Sequence, residues 1–253
     1  MTPAGSINNV NLIHFGLASG IWEKMPLKRE ISGTKRNKKA LLLSTARRIV
    51  ADGGFQDLQM ATVANAAGMA VGTIYRYFPS KMQLCVELVS MASQREVDVL
   101  AGVALSEGAP EQKLGDAIRA FVGRAMQAPR LAYAMIVEPV FPEVELARHT
   151  YDRKICKVLE SILLEGIRDG VFREMDVEIS AACMFGAFHE GLVGPLAPEA
   201  TALPDHVPDL IDSMVEFCLA SVLKFDRSQI LQTTQQTAPN VQVLKRVSHE
   251  EKK

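Results

Sequence analysis

Val63 to Lys81 reads VANAAGMAVGTIYRYFPSK, and this stretch decides the fold. A small-residue helical pattern, Met60 to Ala67, meets Gly68, which suits the left-handed residue that closes a helix. A second pattern spans Val71 to Phe78 and is stopped by Pro79. Two short helices joined at a glycine turn predict a helix-turn-helix, whose second helix enters a DNA major groove by its N-terminal end. Here that end presents Ala70, Val71, Gly72 and Thr73. These are small enough for close approach, and Val71 or Thr73 suits a thymine methyl or a single hydrogen bond. None offers the bidentate contact that Arg makes to guanine, so base discrimination by this helix alone should be modest. Tyr75 and Tyr77 can donate to phosphates, and Lys81 adds a charge where free backbone N–H groups also favour an anion.

Working outward, Ser80 to Gln83 is a capping box that starts a fourth helix continuing past Leu100. Upstream, a first helix runs from Lys38, with Leu42, Leu43, Ala46, Ile49 and Val50 on one face. Gly53 and Gly54 end it in positions that need a left-handed residue, and Phe55 returns to the core. The segment TKRNKK, Thr34 to Lys39, precedes that helix as a flexible basic arm. Its Lys35, Lys38 and Lys39 suit phosphates or an adjacent minor groove. Residues 1–33 lack helical periodicity and are expected to form a flexible extension. Met25 stands just before the basic block, so either Met1 or Met25 is read as the start.

The net charge of −1 hides a strong division along the chain. Lys28 to Lys81 holds ten Lys/Arg against three acids, a net of +7, whereas Met82 to Asp226 holds twelve against twenty-three, a net of −11. A basic block fused to an acidic body fits a DNA-binding domain over 34–80 carried by a separate module over 81–226. Further helices are expected at Pro110–Gln127, Arg130–Glu138, Pro142–Asp169, Asp176–Gly194 and Pro204–Phe225, with no segment showing strand alternation. The predicted class is therefore all-α: a three-helix N-terminal domain and a helical body of five to six helices. The Gln/Thr-rich stretch 227–253 reads as a disordered tail.

No run approaches 18 uninterrupted apolar residues, and residues 1–24 do not resemble a signal peptide, which places the chain in the cytoplasm with no membrane partner. Cys85, Cys156, Cys183 and Cys218 form no CxxC pair and are expected to be reduced. No HExxH, P-loop or GxSxG motif appears, so the reading is of a non-enzyme needing neither metal nor cofactor.

Residues 38 to 84 resemble the N-terminal domain of the TetR family of bacterial transcriptional regulators. The family's Gly-aromatic pair stands as Gly54-Phe55 and its AG as Ala67-Gly68. Its closing pattern stands as Gly72-Thr73-Ile74-Tyr75-Arg76-Tyr77-Phe78-Pro79-Ser80-Lys81. One departure is the hydroxyl residue that often opens the second helix, since Gln59 and Met60 stand there. The resemblance implies a homodimer on double-stranded DNA, a near-palindromic operator, with Val71, Gly72 and Thr73 on bases and Tyr75, Tyr77 and Lys81 on phosphates.

It also implies that 81–226 binds a small effector and dimerises through the last two long helices. Ala181, Ala182, Gly186, Ala187 and Gly191 allow close helix approach, and Ile211, Met214, Val215, Cys218 and Val222 form an apolar stripe on the final helix. That stripe serves either a dimer or the protomer's own core. Phe121, Arg124, Tyr133, His149, Phe185 and His189 lie on helices placed to line a pocket for a hydrophobic effector. The function so read is a ligand-responsive repressor. Alternatives are an activator or a ligand-independent DNA-binding protein and, more remotely, a helical enzyme or an interaction module.

Overall fold

The computed structural model describes residues 35–198 and 207–224. The expected extension over 1–33, the choice of start and the tail over 227–253 lie outside the described residues. Within them the chain is helical, with an isolated bridge between Phe172 and Leu223. The N-terminal helices are α1 (Lys35–Gly53), α2 (Met60–Ala66) and α3 (Val71–Ile74). The body holds α4 (Lys81–Ala104), α5 (Pro110–Gln127), α6 (Pro129–Ile136), α7 (Pro142–Arg168), α8 (Val177–Gly191), the one-turn α9 (Val193–Leu196) and α10 (Val207–Val222).

Local signals account for most boundaries. Gly54 and Gly68 take positive φ of 81° and 68°, closing α1 and α2 as expected, whereas Gly53 is the last residue of α1 itself. Ser80 Oγ accepts from the Gln83 N–H at 3.1 Å and caps α4. Asp176 does the same for α8 through the Ile179 N–H at 3.0 Å.

Two expectations fail locally. Lys35 to Lys39 are the first residues of α1, not a flexible arm before it. Lys, Arg and Ala are strong helix formers, and no breaker separates Lys35 from the apolar face that begins at Leu42. The third helix ends at Ile74, four residues earlier than periodicity suggests. Arg76 N–H and Tyr77 N–H donate three residues back, to Thr73 O and Ile74 O, Phe78 N–H also reaches Ile74 O, and Pro79 disfavours helical geometry at the residue before it.

Two hydrophobic clusters organise the chain from Lys39 onward. One joins Leu42, Ala46 and Val50 of α1, Val63 of α2, Ile74, Phe78 and the first turns of α4 with Leu131 and Ala134 of α6 and Val144 of α7. The other fills the body, where α7 packs against α4 and α8, and α5 against α10. Helix α6 serves both. Leu131 and Ala134 face the first cluster, while Ala132, Tyr133 and Ile136 face the second.

Cys85 and Cys218 are buried, and burial pushes both thiols up to about 11, which keeps them protonated. All four cysteines are free. Among the described residues no helix is long and apolar enough to cross a membrane.

Candidate nucleic-acid interface and its link to the body

Helix α3 is only four residues long, so its placement depends on what anchors it rather than on its own stability. Ile74 and Phe78 are fully buried beneath it. With those two inward, Val71, Gly72, Tyr75 and Arg76 are exposed, and Thr73, Tyr77 and Lys81 are half-buried. A Cβ built on Gly72 meets nothing within 4 Å, so the face around it is open. The structure therefore brings together Val71, Gly72, Thr73, Tyr75, Tyr77 and Lys81 on one short α3–α4 segment. Arg76, exposed between the two tyrosines, is a cation the sequence reading passed over.

Lys35 and Lys38 are exposed on the first turn of α1. Lys39 is different: its ammonium pairs with Glu87 of α4 at 2.5 Å and lies 5.4 Å from the centre of the Phe78 ring. That charge braces α1 against α4 while the Lys39 side chain stays 41% exposed. Gln59 precedes α2 without a side-chain cap, and its Nε2 donates to Gln56 O instead.

A polar clamp ties this segment to α6. The Phe55 N–H donates to Glu138 Oε2 at 2.8 Å, and Arg130 Nη2 donates to Gly53 O at 2.9 Å. Arg130 and Glu138 also pair with each other. A Cβ at Gly54 would fall on both of their charged groups, so glycine there serves the clamp as well as the turn. Arg148 of α7 is buried and donates through Nη2 to Ala134 O and Glu138 O, both at 2.8 Å, fixing the C-terminal end of α6. Sequence reading missed Arg130, Glu138 and Arg148 because contacts spanning up to 83 residues follow no local period.

The residues expected to line an effector pocket divide. Phe121 and Phe185 meet edge-on at 6.1 Å between centroids, and Phe188 joins them at 5.2 and 5.4 Å. His189 lies 5.0 Å from Phe185, and burial is the main influence holding its imidazole below the ordinary value, with Asp152 pulling it up. Tyr133 packs half-buried on the body core that contains these rings. Arg124 instead gives Nε and Nη2 to the two oxygens of Glu96 on α4, both at 2.8 Å. His149 is 76% exposed, with Asp152 as its neighbour.

The α10 stripe also resolves. Val215, Cys218 and Val222 are buried and Ile211 and Met214 half-buried in the protomer's own core, so the stripe serves that core. The large apolar side chains that α8 and α10 leave outside are Ile179, 60% exposed, and Phe217, 63% exposed.

Residues 42–88 match the model of the bacterial regulatory proteins of the tetR family. Over 140 residues the chain is 33% identical to the HTH-type transcriptional repressor KstR of Mycolicibacterium smegmatis, a match covering 55% of this chain and 67% of that one. This chain belongs to the tetR family. It is a DNA-binding transcriptional regulator. It is also 25% identical over 159 residues to the fatty acid metabolism regulator protein of Bacillus subtilis, covering 62% of this chain and 82% of that one. The solved structure of FadR from Bacillus subtilis in complex with stearoyl-CoA shares the fold. Its TM-score is 0.62 at 20% identity, covering 72% of this chain and 97% of that one.

Proposed function

We propose that this tetR-family protein is a ligand-responsive repressor. As a dimer it places its two α3 helices in successive major grooves of a near-palindromic operator, and it releases the operator when an acyl thioester enters the body. The observation that carries the reading is α6, which buries Leu131 and Ala134 in one cluster, packs half-buried Ala132, Tyr133 and Ile136 on the other, and adjoins the Arg130–Glu138 clamp on the Gly53–Phe55 turn. A ligand that parts the Phe121–Phe185–Phe188 rings disturbs the body core on which the Tyr133 side of α6 packs, and in this reading α6 carries the turn with it. Ligand occupancy thereby favours a conformer with displaced reading heads, and operator affinity falls by the ligand's preference for that conformer. The acyl class is supported by the fatty acid metabolism regulator and by the stearoyl-CoA complex, and repression by the KstR relative.

In this docking Val71, Gly72 and Thr73 meet base edges. Tyr75, Tyr77 and Lys81 meet phosphates, with Arg76, Lys35 and Lys38 adding charge. The dimer forms through α8 and α10, where Ile179 and Phe217 leave apolar surface for a partner to cover. Footprinting on the DNA upstream of the protein's own gene should show two protected half-sites about one helical turn apart, lost on titration with stearoyl-CoA. A footprint indifferent to acyl thioesters would overturn the effector class, and an unpaired footprint the dimer. Lys81→Ala should weaken binding on every sequence and lower the slope of log affinity against log salt by about 0.9 per reading head. An unchanged slope would exclude Lys81 as a phosphate contact.

A further inference from the structure

Glu138 is held from two directions. Its carboxylate accepts from the Phe55 N–H at 2.8 Å and pairs with Arg130, which in turn reaches Gly53 O. Its backbone carbonyl accepts from Arg148 Nη2 at 2.8 Å, and the same nitrogen donates to Ala134 O at 2.8 Å. Ala134 stands in the last turn of α6, where carbonyls lack partners within the helix, so a cation from α7 caps that end. Arg148 Nη1 donates to Glu145 Oε1 at 2.6 Å, which fixes the fork from its own helix. Helix α7 thus reaches the Gly53–Phe55 turn in two steps, Arg148 to Glu138 and Glu138 to Phe55.

This arrangement is costly for the fold alone. Arg148 is buried, and its Nε has no partner among the described residues. A buried charge with an unpaired donor costs stability that an apolar side chain would not. What the site gains is a mechanical link. Helix α7 buries Val144 in the cluster beneath α3, and Ile155, Leu159, Ile162 and Leu163 in the body core that holds Phe121, Phe185 and Phe188. Arg148 and Ile155 are seven residues apart on one unbroken helix, about 10 Å along its axis.

We propose that Arg148 is the positioning residue that couples the effector-binding core to the DNA-binding segment. The inference rests on the ligand-responsive reading above. A shift of α7 at the body core moves the Arg148 fork, the fork moves the end of α6 and the Glu138 backbone, and the Glu138 carboxylate moves the turn between α1 and α2. In this role Arg148 touches neither DNA nor effector.

The test compares the full-length wild type with Arg148→Met and Arg148→Lys, whose single ammonium cannot serve both carbonyls and Glu145 as the fork does. Without ligand, hydrogen exchange of the Gly53–Leu58 peptide, taken relative to peptides from α10, should quicken at least about tenfold in Arg148→Met and less in Arg148→Lys. Operator affinity is then measured with and without stearoyl-CoA. The ratio of the two should fall at least about fivefold in Arg148→Met, with ligand-free operator affinity within about threefold of wild type and stearoyl-CoA still bound. A purely structural role would lower stability and leave that ratio unchanged. Should Arg148→Met fail to fold, Arg148→Lys carries both measurements in the same direction. Turn exchange that rises no more than that of α10, or release by stearoyl-CoA at the wild-type ratio from the folded variants, overturns the proposal. A wild type that ignores stearoyl-CoA fails the acyl reading, and the ligand-free exchange then decides the Arg148 link by itself.

Discussion

Gly72→Glu should leave the protein folded and weaken operator binding at least about 100-fold, measured by fluorescence anisotropy on the footprinted site. The position is exposed, and a Cβ there meets nothing within 4 Å, so the free protein accommodates the side chain. Glycine is also a poor helix residue, and an acid in the first turn of a helix is favoured by its dipole, so thermal stability should hold or rise slightly. On DNA the same side chain projects at base edges between phosphates, where bulk and negative charge both oppose docking. Gly72→Ala separates the two effects by adding bulk without charge, and it should cost far less. If Gly72→Glu bound operator normally, the proposed entry of α3 into the groove would be wrong.

Phe78→Ala should have the largest effect on stability, about 3–5 kcal/mol, read from the urea midpoint at constant slope. The ring is fully buried and holds the end of the α3 turn against α1, α2 and α4. Its removal also takes away the face beneath the Lys39 ammonium, which lies 5.4 Å from the ring centre. Since α3 is four residues long, it has no means of holding position once that anchor is gone. Phe78→Leu should recover much of the loss. Tyr75→Ala, at a side chain 50% exposed, should cost little stability while still reducing DNA binding. A loss below about 1 kcal/mol for Phe78→Ala would mean the cluster under α3 is not packed as described.

These two residues mark a division of labour within one short segment. Ile74 and Phe78 place the segment, whereas Val71, Gly72 and Tyr75 are free to touch DNA because those two are inward. Regulation then depends on what moves the segment. Helix α6 packs on both clusters, through buried Leu131 and Ala134 on one side and half-buried Ala132, Tyr133 and Ile136 on the other. In the proposed mechanism a rearrangement of the body core is transmitted through this helix, because packed interiors resist bending.

The helix-turn-helix was legible because its signals are local: Gly68 for the turn, Pro79 for the stop, Ser80 for the cap and small residues at the entry. Each acts through its own backbone or within one helical turn, so sequence spacing contains the physics. The all-helical class followed from periodicity for the same reason, and the basic block with its tyrosines pointed to DNA without any tertiary knowledge. Other assignments turned on distance through space. Periodicity marked an apolar stripe on α10, but burial in the protomer's own core left Phe217, not that stripe, to face outward. A run of lysines looked like a flexible arm, yet helix propensity carried α1 back to Lys35, and Lys39 pairs with Glu87 of α4 beside the Phe78 ring. The clamp of Arg130 and Glu138 on Gly53 and Phe55 joins residues 77 and 83 positions apart, so no local pattern announces it. Sequence alone determined that this protein binds DNA and by which segment. Only the tertiary structure decided which charges pair within the protein and which helix packs between that segment and the body, because a side chain's partner is set by packing and not by its neighbours in the chain.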